Sequence, residues 1–163
     1  MRWIALIITL MLLTNTSCVS VSLGQREIKR ASGIRLTEPS APLAKISRSD
    51  VDAAWKNSAN GNLLSYISDC QDETDPPLDM IVQGALGGLS ELQMESKESP
   101  LVQGREARRV KASGKVDGVP TKIDLVTFKR DNCIYILSYV GVEKSFGVDH
   151  AQFDQFLKGF QAP

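Results

Sequence analysis

The sequence predicts an α+β fold: an antiparallel β-sheet with helices packed on it, after an N-terminal signal and tether. Two observations carry this. The second half of the chain holds runs of alternating residues separated by short turns, and consecutive strands joined by short turns pair antiparallel. Two other segments, 75–89 and 149–160, repeat their apolar residues at helical spacing instead. Strands, a helix, a meander of strands and a final helix make segregated layers, not βαβ repeats.

Residues 1–17 read as an export signal. Arg2 supplies a positive start, residues 4–13 are an uncharged apolar run, and Thr14-Asn15-Thr16-Ser17 is a small, polar exit before Cys18. The run is about half of the roughly 20 residues that a membrane-spanning helix needs. Small residues before a cysteine resemble the processing site of a bacterial prolipoprotein, which implies cleavage before Cys18 and lipidation of its thiol. Asn15 departs from the Leu usual in that motif. The alternative is an ordinary secretory signal cut near Ser17 or Ser20. No Asp follows Cys18, which by the same resemblance favours the outer membrane, facing the periplasm, over inner-membrane retention.

Residues 18–42 read as a flexible tether. They mix Ser, Gly, Arg, Lys and Pro without a sustained period, although Ile34 and Leu36 could dock as an edge strand. Residues 43–163 then form one domain. Short strands are expected at 43–46 and 51–55, and a stronger one at 63–67, closing at Cys70. An acidic loop, 71–75, leads into a helix with Asp75 as cap and Pro76 in the first turn. Leu78, Ile81, Val82, Ala85 and Leu89 share its apolar face.

Strands follow at 92–97 and 105–112, with a loop at 114–118. The strongest pair is 122–129 and 133–140. In the latter, Ile134, Ile136 and Val140 face one side and Cys133, Tyr135, Leu137 and Tyr139 the other, so this strand should be central and covered on both sides. Asp149 and Gln152 have capping-box spacing for the last helix. Phe153, Phe156, Leu157 and Phe160 form its core stripe.

The chain carries 19 basic and 19 acidic residues, a balance that argues against a nucleic-acid binder. It has three cysteines; with Cys18 lipidated, Cys70 and Cys133 remain and can pair in an oxidising compartment. Two separate buried thiols are the alternative. His150 is the single histidine and reads as a surface residue at a helix start. Catalysis by it would need a nucleophile and an orienting acid. No Gly-x-Ser-x-Gly surrounds any serine, and Gly84-Ala85-Leu86-Gly87-Gly88 lacks the Lys-Ser/Thr of a phosphate loop. The acidic group Asp72, Glu73, Asp75 and Asp79 lacks EF-hand spacing. No catalytic residue, metal ligand or cofactor is therefore assigned. Arg105, Arg109 and Lys111 share a strand face with Ala107, which could meet an anion or lipid headgroups. The plain reading of that face is solvated sheet surface.

The pieces 64–70, Gly104-Arg105-Glu106-Ala107, Asp117-Gly118-Val119-Pro120, Asp131-Asn132-Cys133-Ile134-Tyr135 and 153–160 resemble, in this order, a group of uncharacterised lipoproteins from delta-proteobacteria and myxobacteria. The order of elements also resembles the PsbP-like α/β sandwich. That resemblance implies an accessory or binding module rather than an enzyme. The expectation is a lipid-anchored cell-envelope accessory or binding protein, held on the membrane by lipidated Cys18 and working by contact with an envelope partner. A periplasmic hydrolase using His150, or a small-ligand carrier with a groove between sheet and helix, are the alternatives.

Overall fold

The computed structural model describes residues 28–71 and 74–163. The expected signal, 1–17, and the expected lipidation site, Cys18, lie outside the described residues. Among the described residues, eight strands and two helices follow one another as β1 (Ala44–Ile46), β2 (Ala53–Lys56), β3 (Leu63–Asp69), α1 (Leu78–Leu86), β4 (Ser90–Glu98), β5 (Leu101–Val102), β6 (Arg105–Val116), β7 (Val119–Arg130), β8 (Cys133–Val142) and α2 (Phe146–Gly159). The sheet is antiparallel throughout, in the order β1-β2-β3-β8-β7-β6-β4, with β5 paired to β6.

The alternation in β8 is realised. Cys133, Tyr135, Leu137 and Tyr139 face α2, where Phe153, Phe156 and Phe160 complete the larger core with Trp55, Leu64, Tyr66, Val126 and Phe128. Ile136 and Val140 face α1, against a smaller core of Val82, Leu86, Val110, Ala112, Ile123 and Leu125. Both sheet faces are thus covered, and β8 and β7 are central strands. The aromatic stripe locks by ring contacts. Phe128 stacks on Tyr135 at 5.0 Å, and Phe160 meets Tyr66 edge-on at 5.2 Å.

Several expectations are corrected. Asp75 does not cap α1: its backbone has φ 44°, and its carboxylate pairs with Lys129 instead. Pro77 precedes the helix with no side-chain cap. Leu86, four residues after Val82, is the buried member of that face, while Ala85 points to solvent. The expected loop at 114–118 shrinks to Asp117-Gly118, because β6 and β7 pair continuously as far as Val116 and Val119. Both Asp117-Gly118 and Asp131-Asn132 have positive φ, which suits a two-residue hairpin turn to the twist of the strands it joins. The short β5 was not expected, since two residues carry no readable period.

Residues 28–42, read as tether, run along the domain. Arg35 and Gln161 exchange two backbone hydrogen bonds, 3.0 and 2.7 Å. Lys29 accepts the Cys70 amide at 2.8 Å, and the Ala31 amide donates to Ser68 Oγ at 2.7 Å. Ile34 and Leu36 pack on the larger core, as the docked edge segment would. Thr37 crosses Gly159 so closely that a Cβ there would lie 2.6 Å from its Oγ1, so a bare backbone suits the end of α2.

Candidate functional site

Arg105, at the end of the face it shares with Ala107, Arg109 and Lys111, is exposed. α2 lies over Ala107 and Arg109, and a polar network forms between it and the sheet. Asp124, on β7 opposite Lys111, is fully buried. It accepts Arg109 through both oxygens, Nε at 3.0 Å and a terminal nitrogen at 2.7 Å. His150 Nε2 lies 2.8 Å from the same carboxylate, and Arg109 also donates to Asp154 at 2.6 Å. Hydrogen bonding to Asp124 pushes the Arg109 guanidinium pKa further up, so it stays charged.

His150 is therefore not the surface residue expected. Its ring sits among Tyr139, Phe146 and Phe153, with Nδ1 3.9 Å from Asp154. Its one side-chain hydrogen bond among the described residues is to a carboxylate, not to a hydroxyl or thiol. That carboxylate fixes the orientation of the imidazole ring. What the geometry does provide is a clamp between α2 and β6–β7.

A second polar cluster holds the start of α2. The helix begins at Phe146, and Ser145 precedes it without a side-chain cap. Asp149, expected as the cap, is buried in the first turn. One of its oxygens accepts the amides of Asn57, Asn60 and Asn62, each at 2.9 Å. Asn62 also donates to the Ser145 carbonyl, and a Cβ on Gly141 would collide with its side chain. Burial alone would raise the Asp149 carboxyl pKa, but the Asn60, Asn57 and Asn62 amides outweigh it and hold the carboxyl below its ordinary value. Its stabilisation is thus complete above the unfolded pKa and is lost as pH falls through the lower folded value. Asp149→Asn is expected to flatten the acid arm of the stability profile below about pH 4, measured by urea melts at stepped pH. An unchanged acid arm would contradict this.

Cys70 and Cys133 form a disulfide that joins the ends of β3 and β8. It borders a polar cleft of about 740 Å³, lined among the described residues by the cations Arg105, Lys129 and Arg130 and the carboxylates Asp75 and Asp131. A smaller groove of about 360 Å³ opens between α2 and the β5–β6 hairpin, lined by Pro100, Leu101, Val102, Val126, Leu157 and Phe160 among others. Of the acidic group, Asp79 pairs with Lys97 and Arg108 and Asp75 with Lys129, while residues 72 and 73 lie outside the described residues. Among the described residues, no group of three or more His, Cys, Asp or Glu side chains could hold a metal. No described helix is long and apolar enough to cross a membrane.

Sequence pointed to Cys70 and Cys133 but missed Asp124, Arg109's partner, and the three asparagines. A signal for each was present: an Asp inside the apolar run 123–126, and the spacing Asn57-x-x-Asn60-x-Asn62.

No protein-family model matches the chain, and no curated protein matches it in sequence. Solved structures match in fold. The chain is similar to cyanobacterial PsbP (CyanoP) from Synechocystis sp. PCC 6803, with TM-score 0.54 and 13% identity, over 87% of this chain and 96% of that one. It is also similar to LpqN, described as involved in cell envelope biogenesis of Mycobacterium tuberculosis, with TM-score 0.50 and 12% identity, over 84% and 83% of the two chains. A third similar structure is a protein of unknown function from Pseudomonas aeruginosa, with TM-score 0.50 and 12% identity, over 81% of each chain. At these identities the likeness concerns the fold, a PsbP-like antiparallel sheet flanked by two helices.

Proposed function

We propose that this protein is a lipid-anchored accessory or binding module of the cell envelope, held at the outer membrane through Cys18 and facing the periplasm. The observation that carries this reading is the apolar run 4–13 followed by Thr14-Asn15-Thr16-Ser17-Cys18, and the docking of residues 29–36 sets the length of the tether. Fixing Lys29 beside Cys70 leaves ten residues, 19–28, between the acyl acceptor and the fold. Ten residues reach at most about 35 Å, so the domain would stand close to the headgroups. The mechanism is tethering, which raises the local concentration of the module along the membrane. The disulfide fits an oxidising compartment. The cell-envelope involvement of LpqN and the accessory character implied by the PsbP-like fold support this reading by analogy.

Cys18→Ser should move the protein from the sedimented membrane fraction to the soluble periplasmic fraction, followed by immunoblot. An unaltered distribution would overturn the anchor. One observation favours a second reading, a small-ligand carrier: the groove beside α2, lined by six apolar residues with Glu98, Gln103, Arg109 and Lys158, at the low end of ligand-pocket volumes. Native mass spectrometry of protein purified from cells would then show a co-purified mass, and its absence would count against a carrier.

A further inference from the structure

Most cations of the basic run of β6 are ion-paired. Asp79 and Glu106 hold Arg108, Asp124 and Asp154 hold Arg109, and Glu91 holds Lys115. Arg105 differs: its side chain has no hydrogen bond or ion pair among the described residues. It lines both the disulfide-end cleft and an adjoining one of about 410 Å³, and Lys129 lines both with it. Arg130 completes a group of three cations.

The carboxylates beside them are easily displaced. Asp75 contacts Lys129 but its side chain is 86% exposed, and Asp131 contacts Arg130 with 61% exposure. Exposed ion pairs of this kind contribute little and are screened by salt. A guanidinium, by contrast, presents paired donors that match a phosphate group. The cleft also lies beside the point where the N-terminal segment joins the fold, since the Cys70 amide donates to Lys29.

We propose that this cleft seats the phosphate of an anionic phospholipid headgroup, with Arg105 as the principal contact and Lys129 and Arg130 beside it. The direction in which the cleft faces rests on the lipid-anchor reading; the phosphate contact itself does not. The cleft would then fix the orientation of a tethered domain on its membrane.

The test uses the chain 19–163, which keeps every described residue but lacks the acyl acceptor. It is sedimented with vesicles of phosphatidylcholine alone or mixed with phosphatidylglycerol. Binding is expected only to the mixed vesicles and should vanish when salt is raised to about 0.5 M. Arg105→Gln should weaken it about fivefold, and Arg105→Glu with Lys129→Glu should weaken it further. Lys144→Glu, in the turn after β8 at the opposite end of the sheet, should leave it unchanged. Circular dichroism checks that each variant folds; Arg105→Gln keeps the test decisive if the double reversal does not. Equal losses for the Arg105 and Lys144 variants, or no binding to the mixed vesicles, would overturn the proposal. Saturable binding of inorganic phosphate without vesicle binding would overturn the membrane source. Absence of lipid on Cys18 would sink the anchor while leaving this result untouched, so the two readings fail separately.

Discussion

Asp124→Ala is expected to lower the unfolding free energy by about 3–5 kcal/mol, the cost of breaking a buried ion pair from one side. The carboxylate is fully buried and accepts three donors, two from Arg109 and one from His150. Removing it leaves the half-buried Arg109 guanidinium with Asp154 alone and His150 Nε2 without its hydrogen bond. Asp154→Ala supplies the internal comparison. That carboxylate is 43% exposed and makes a peripheral contact, so its loss should cost no more than about 1 kcal/mol. Urea melts should show the difference as a shift in midpoint at constant slope. Equal costs for the two variants would mean that the network does not clamp α2. Replacing Arg109 and Asp124 together by Met and Leu should cost less than Asp124→Ala alone, because no charge is then stranded.

Loss of the disulfide is the second large effect. Cys70 and Cys133 are 63 residues apart. On the chain-entropy account, closing a loop of that length stabilises the fold by about 4 kcal/mol. The double variant Cys70→Ser/Cys133→Ser should lose about that much, and reductant should then have no further effect on it. The loss should also spread locally, because the Cys70 amide holds Lys29 and the neighbouring Ser68 hydroxyl holds Ala31. Hydrogen exchange should therefore rise at residues 29–31 before it rises in β7 and β8. Equal stability of the oxidised protein and the double variant in guanidinium melts would contradict this prediction.

What could be read from the sequence was what depends on near neighbours. The alternation of β8 assigned its two faces, and Phe153, Phe156 and Phe160 marked the buried side of α2, because both patterns repeat within a few residues. The cysteine pair was legible through parity and compartment. The polar clusters were not. Asp149 looked like a cap because capping is local, yet its partners lie 92, 89 and 87 residues away. His150 looked exposed because nothing in its own segment shows that Asp124, 26 residues earlier, meets it from the sheet. The docked stretch 29–36 was only half visible. Ile34 and Leu36 hinted at it, but its backbone hydrogen bonds to Cys70 and Gln161 carry no side-chain pattern.

Protein extracted from membranes and weighed at its N-terminus gives the most direct test of the account. It predicts a mature chain that begins at Cys18 and carries a diacylglyceryl group on that thiol. A chain that begins at another residue, or begins at Cys18 without lipid, would contradict the anchored module proposed here.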